Sequence, residues 1–276
     1  MRFIGFFDII FLDKEKRFAL QYFWSMIKTW KITIPELSGD EVRRVYVYLP
    51  ASYRPKDDVR YPVLYMFDGH NVFFDDHATY GKSWGMGNYL NFTRTPVIVA
   101  AVECSHIGNG RLEEYSPFSF EDETFGSVTG RGQAYMDWLV NEFKPYIDNR
   151  FKTIPDREHT MICGSSMGGL MSLYAISAYN HIFSACAALS PSIWVSKQGV
   201  REMFETAQID ENTVVYMNYG SEEMVNHKKM LTEYANYTSF LIKRKVNLTS
   251  QIVKGGMHCE ASWEQQIPVF MRCLGF

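Results

Sequence analysis

The most constraining feature of this chain is a series of short apolar runs separated by stretches with helical spacing. Pro62–Phe67 (PVLYMF) and Pro96–Val102 (PVIVAAV) are apolar throughout and too short for helices. That is the pattern of strands buried on both faces. His159–Cys163, Phe183–Leu189, Thr213–Asn218 and Leu248–Val253 continue the series. Between them, Gln133–Arg150 places Met136, Leu139, Val140, Phe143 and Ile147 on one helical face, with Pro145 predicted to kink its last turn. Gly168–Tyr179, Val200–Ala207, Met224–Lys245 and Ser262–Leu274 are further predicted helices. Lys31–Leu37 and Arg43–Leu49 flank Ser38-Gly39-Asp40 and read as an antiparallel hairpin. This order predicts an α/β fold: a mostly parallel central sheet with helices on both faces, a leading antiparallel hairpin and no large lid domain. Gly108–Arg131 is the longest irregular stretch and reads as an insertion over one end of the sheet.

Composition excludes several classes. The chain is 46% hydrophobic with a net charge of −3, as in ordinary globular proteins, and no basic excess suits nucleic acid or an anionic membrane surface. No apolar run reaches the roughly 18 residues of a membrane-spanning helix. The 5 cysteines are odd in number and contain no C-x-x-C pair, so no disulfide framework is expected. Cys163 and Cys186 lie in apolar runs and read as small buried hydrophobes. Residues 1–25 open with MRFIGFFDIIFL, an apolar stretch broken by Asp8 and lacking a small-residue cleavage site. They are expected to be an N-terminal extension outside the fold, with residues 26–276 forming one domain. A cytoplasmic setting is expected, with export by an atypical N-terminal signal as the alternative.

The chemical signal is Gly164-Ser165-Ser166-Met167-Gly168, a G-x-S-x-G sequence between an apolar strand and a helical pattern. A sharp strand-to-helix turn there forces Ser166 into a strained conformation with its hydroxyl projecting. The helix N-terminus favours negative charge developing beside it. A serine hydroxyl needs a base. Of the downstream histidines, His181 comes too early and His227 starts a long predicted helix. His258 follows the last strand in Lys254-Gly255-Gly256-Met257-His258, where a base belongs. The acid should follow the preceding strand, in Tyr219-Gly220-Ser221-Glu222-Glu223; spacing alone leaves Glu222 and Glu223 open. Asp210 and Glu211 lie at the wrong end of that strand. Two N–H donors for an oxyanion are expected from Met167 and from His70, in the turn Phe67-Asp68-Gly69-His70-Asn71.

These residues resemble the esterase family of α/β-hydrolases, which includes feruloyl and acetyl xylan esterase domains, S-formylglutathione hydrolase, enterobactin esterases and mycolyltransferases. The matching pieces are RRVYVYLP (43–50), YPVLYMFDGHNVFF (61–74), GSSMGGLMSLY (164–174), LSPSIW (189–194), YGSEE (219–223) and GGMHCEASWEQQIPVF (255–270). The resemblance spans residues 31–274 and implies the α/β-hydrolase fold and a serine carboxylic-ester hydrolase. By position it implies Ser166 as nucleophile, His258 as base and Glu223, the last residue of a G-x-x-[DE] turn, as acid. The family usually carries Asp at that place, and Glu222 stays as the alternative acid. The oxyanion donors correspond to the amides of His70 and Met167, and Trp263 matches an aromatic residue whose role is packing.

The implied reaction passes through an acyl-enzyme and needs no cofactor and no metal. The partner expected is a small-molecule ester carrying a small acyl, aryl or sugar group; oligomeric state is not legible. Trp84, Arg111, Tyr115 and Trp194 are candidate substrate contacts, Arg111 for an anionic group. Acyl transfer on the same scaffold, or a non-catalytic binding protein with the hydrolase shell, are the competing expectations.

Overall fold

The computed structural model describes residues 26–276 apart from His227. The expected extension at residues 1–25, its alternative reading as an export signal, and His227 lie outside the described residues. The strands are β1 (Ile27–Ile32), β2 (Arg43–Tyr48), β3 (Val63–Met66), β4 (Ile98–Val102), β5 (Phe120–Asp122), β6 (Gly126–Val128), β7 (Thr160–Ser165), β8 (Ala185–Leu189), β9 (Val214–Gly220) and β10 (Asn247–Val253). An 8-stranded sheet has the order β1-β2-β4-β3-β7-β8-β9-β10. β2 is antiparallel to both β1 and β4, and every neighbouring pair from β4 to β10 is parallel. The expected mostly parallel sheet with antiparallel strands at its leading edge is what forms.

Alternation within the strands creates two cores, because successive side chains point to opposite faces. Val63 and Tyr65 join Ile162, Leu170 and Leu173 on one face. Leu64 and Met66 join Leu90, Ile267 and Phe270 on the other. Helices Met167–Ala178, Lys197–Thr206 and Lys228–Lys243 therefore cover one face, and helices Met86–Thr93 and Ile267–Cys273 cover the other. Among the described residues no helix is long and apolar enough to cross a membrane.

Several predicted boundaries need correction. The first strand ends at Ile32 rather than Leu37, and Pro35–Ser38 makes a single helical turn. Pro35 has no N–H for a ladder and suits the first turn of a helix, and the Gly39 N–H closes that turn on the Pro35 carbonyl. The stretch 133–150 is interrupted at Leu139–Phe143 by a wide π turn, ahead of Pro145. Pro145 then occupies the first turn of Lys144–Arg150, directly after that π turn. The predicted helix 262–274 divides into Glu260–Glu264 and Ile267–Cys273, because Pro268 can only open a new first turn. The predicted helix 224–245 divides into Ser221–Asn226 and Lys228–Lys243. Within 108–131 lie a helical turn, Gly110–Glu114, and the separate β5–β6 hairpin.

Ile162 is fully buried in β7, between β3 and β8. Ile162→Ala is expected to lower stability by about 2–5 kcal/mol. Urea unfolding checks this, and an unchanged midpoint would contradict the packing described.

Candidate active site

The carboxyl ends of the parallel strands converge, as ligand-binding edges of open α/β sheets do. β7 ends at Ser165, and Ser166 turns the chain directly into helix Met167–Ala178. Ser166 has φ 57° and ψ −121°, a backbone conformation costing about 1–3 kcal/mol in a residue with a side chain. Neighbouring strand ends hold it there. Its N–H donates to the Leu189 carbonyl at 2.9 Å, and its carbonyl accepts from the Ser192 and Leu170 N–H groups at 2.9 and 3.0 Å. Glycine is required beneath the turn: a Cβ on Gly164 would lie 2.6 Å from the carbonyl carbon and oxygen of Gly168. Among the described residues the hydroxyl of Ser166 has the Ser192 hydroxyl as its hydrogen-bond partner, at 3.3 Å.

The ends of β9 and β10 bring an acid and a base together. His258 Nδ1 stands 2.7 Å from Glu223 Oε2. The other oxygen, Oε1, accepts from the Ser190 hydroxyl at 2.7 Å and from the Gly220 N–H at 2.9 Å. Ser190 is itself held by the Trp263 indole N–H at 3.0 Å. Trp263 also packs edge-on against the His258 ring, with centroids 5.1 Å apart. Burial raises the Glu223 pKa, but the hydrogen bonds from His258, Ser190 and Gly220 outweigh it and leave the carboxyl below its usual range. The two loops meet backbone to backbone. A Cβ on Gly220 would lie 2.2 Å from the Gly256 carbonyl oxygen, and one on Gly256 would lie 2.9 Å from Gly220 Cα. Glu222 is exposed, and its carboxylate accepts from the Ser221 hydroxyl at 3.2 Å.

The end of β3 forms the opposite wall. Asp68 has φ 54° and starts the turn Gly69–Asn71. A Cβ on Gly69 would lie 2.8 Å from the Val102 carbonyl carbon, so this turn presses on the end of β4. The turn closes through Asn71 N–H to the Asp68 carbonyl, and the serine turn closes through Leu170 N–H to Ser166. Neither closure uses the amides of His70 or Met167. Arg111 grips Asp68 with two parallel bonds, at 2.7 and 2.8 Å. Burial alone would raise the Asp68 pKa, but the guanidinium holds it below the ordinary value. The His70 ring is buried, with Nε2 3.0 Å from the Thr79 hydroxyl, and burial lowers its pKa.

Two cavities flank Ser166. One, of about 490 Å³, is lined by Trp194, Tyr219, Met230 and Met257 together with Ser166 and His258. The other, of about 340 Å³, is lined by Asp68, Asn71, Thr79, His106, Arg111 and Glu260, and also reaches Ser166 and His258. Trp194 lies on the wall of the first cavity. Two other expected substrate contacts, Trp84 and Tyr115, need correction. Trp84 is 3% exposed and packs on Trp263 and Phe270 in the core. Tyr115 is fully buried, and its hydroxyl accepts the Asp68 N–H at 3.1 Å, so it supports the turn from beneath. Arg111 does face a cavity, but its charge is matched by Asp68 rather than free for an anionic group.

Three residues near the serine escaped the sequence reading. Ser190 and Ser192 lie in LSPSIW immediately after β8, where a strand-end position was the available signal. Glu260 is buried in the polar cavity, its pKa raised by burial, and accepts from Asn71 Nδ2 at 3.3 Å. Its sequence position, two residues after His258, gave no sign of burial.

The family model described as "Putative esterase" matches residues 38–272, so the chain belongs to that esterase family and is a carboxylic ester hydrolase. The chain is similar to YbbA of Bacillus subtilis (strain 168), 28% identical over 186 residues, 66% of this chain and 69% of that protein. It is also similar to the siderophore triacetylfusarinine C esterase of Aspergillus fumigatus, 26% identical over 172 residues, 59% of this chain and 56% of that enzyme. Among solved structures, an IroE-like serine hydrolase from Shewanella oneidensis superposes with a TM-score of 0.71 at 18% identity, covering 90% of this chain and 79% of that one. The fold is that of the α/β-hydrolases. Among the described residues no large lid domain covers the strand ends.

The lowered pKa of Glu223 has a consequence for stability. A carboxyl depressed on folding stabilises the protein above its unfolded value, near 4.5, and that contribution is lost as pH falls through the folded value. The stability gap between wild type and Glu223→Gln should therefore be widest near neutrality and narrow below pH 4.5. Urea unfolding at a series of pH values tests this; a gap independent of pH would refute the hydrogen-bonded carboxylate.

Proposed function

We propose that the chain hydrolyses esters through Ser166, His258 and Glu223, by way of an acyl-enzyme. The observation that carries this reading is the 2.7 Å contact between His258 Nδ1 and a Glu223 carboxylate fixed by two further donors. A carboxylate so held keeps the Nδ1–H tautomer of the imidazole and leaves Nε2 to accept a proton. Ser166 Oγ attacks the ester carbonyl and passes its proton to Nε2. His258 returns that proton to the departing alcohol. Water, deprotonated by the same nitrogen, then releases the acid. Ser192 is the resting partner of Ser166; rotation of the serine side chain from it toward His258 accompanies substrate entry, since catalytic hydrogen bonds often tighten only in the complex.

The tetrahedral oxyanion is held by the amides of His70 and Met167. The turn closures leave both amides unused, and Met167 opens a 12-residue helix whose N-terminus favours negative charge. The acyl group occupies the cavity of Trp194, Met230 and Met257, and the alcohol occupies the polar cavity. The substrate class supported is a small acyl or aryl ester of a hydroxyl-rich alcohol such as a sugar. A siderophore ester, the type named for the fungal relative, is the second compound to assay.

With p-nitrophenyl acetate, Ser166→Ala and His258→Ala are each expected to lower kcat by about 10⁴-fold or more. A fluorophosphonate probe should label wild type at Ser166 and leave Ser166→Ala unlabelled. Glu223→Gln should cost at least about 10²-fold in kcat, and Glu222→Gln less than about twofold. A larger loss at Glu222, or full activity without Ser166, would overturn the proposal.

A further inference from the structure

We propose that His70, Cys104 and His106 bind a soft divalent metal ion of the zinc class on the wall of the polar cavity. Among the described residues, these three offer ligand atoms that lie within 4.8 Å of one another. All three line the cavity. The set contains a thiol and two imidazoles, the donors that select zinc over magnesium or calcium.

The second observation is an orphaned atom. Nδ1 of His70 is buried and has no hydrogen-bond partner among the described residues, in a residue only 4% exposed. Buried polar atoms without partners are uncommon and ask for an explanation. The other ring nitrogen, Nε2, is 3.0 Å from Thr79 Oγ1. When Nε2–H donates to that hydroxyl, Nδ1 carries a bare lone pair. One nitrogen hydrogen-bonded and the other free is how proteins orient a metal-binding imidazole. The Thr79 N–H is in turn held by Asn71 Oδ1 at 2.9 Å, so the supporting hydroxyl is itself positioned.

The three residues come from two strand ends. His70 lies in the turn after β3, and Cys104 and His106 follow β4, its parallel neighbour. The rings of His70 and His106 meet edge-on with centroids 4.9 Å apart. Ligand atoms around a tetrahedral zinc stand about 3.5 Å apart, so the site contracts modestly on loading. His106 is exposed and free to make that adjustment, while His70 and Cys104 are buried. Binding exchanges the Cys104 thiol proton for the metal–sulfur bond, and the proton leaves to solvent. Three protein ligands leave a fourth position for water, facing the cavity that Ser166 and His258 also line.

The test uses Co²⁺ as a spectroscopic substitute, then Zn²⁺, on reduced full-length protein. Wild type should bind a single equivalent of Co²⁺ with a near-ultraviolet thiolate-to-cobalt absorption, and Zn²⁺ should displace it. Cys104→Ser should lose that absorption. His106→Ala, at an exposed position that leaves the fold intact, should weaken binding about tenfold or more. Absence of the thiolate absorption in wild type, its survival in Cys104→Ser, or equal affinity in His106→Ala would each overturn the proposal.

Discussion

From β4 across to β10 every neighbouring strand pair runs parallel, and this single directionality governs the site. Residues distant in sequence reach one edge because each follows the carboxyl end of its own strand. Parallel pairing alone brings them only to the same rim. The final approach depends on backbone meeting backbone where no Cβ intervenes: Gly164 on Gly168, Gly220 on Gly256 and Gly69 on Val102. At the first contact the serine turn packs tightly; at the second, Glu223 reaches His258; at the third, the His70 turn lies on β4. The positive φ angles of Asp68, Ser166 and Ser190 sit at the same rim, where the surrounding hydrogen bonds over-determine the strained conformation.

Electrostatically the rim is arranged in closed pairs. Asp68 is matched by Arg111 through a two-pronged contact. Glu223 is surrounded by donors on both oxygens. A buried carboxylate without partners would rise toward neutrality; with partners it stays ionised and directional. Ser190 links this acid to Trp263, so the tryptophan packs the His258 ring and also fixes the hydroxyl that fixes Glu223. One aromatic side chain therefore constrains two neighbouring groups.

Much of the fold was legible because buried parallel strands leave short apolar runs and helices leave a periodic face. Boundaries failed where proline decided them: Pro35 turned a predicted strand into a helical turn, and Pro268 split a predicted helix. Around the serine, position after a strand was readable, but side-chain direction was not. Glu222 and Glu223 are adjacent and chemically equivalent in sequence. Only the turn geometry at Gly220 points the second inward and leaves the first on Ser221. Aromatic residues misled for a related reason. Trp84 and Tyr115 lie in loop-like sequence, yet they fill the core beneath the strand ends, because a loop covering a sheet rim needs its own apolar underside.

The two cavities beside Ser166 differ in what they offer. The one bounded by Trp194, Met230 and Met257 presents mainly apolar surface. The other presents hydrogen-bonding groups, with the charge of Arg111 matched by Asp68. Adding a cation at His70, Cys104 and His106 would change that balance on the wall nearest the His70 amide. The polar cavity would then attract negatively charged groups that the cancelled pair of Asp68 and Arg111 does not.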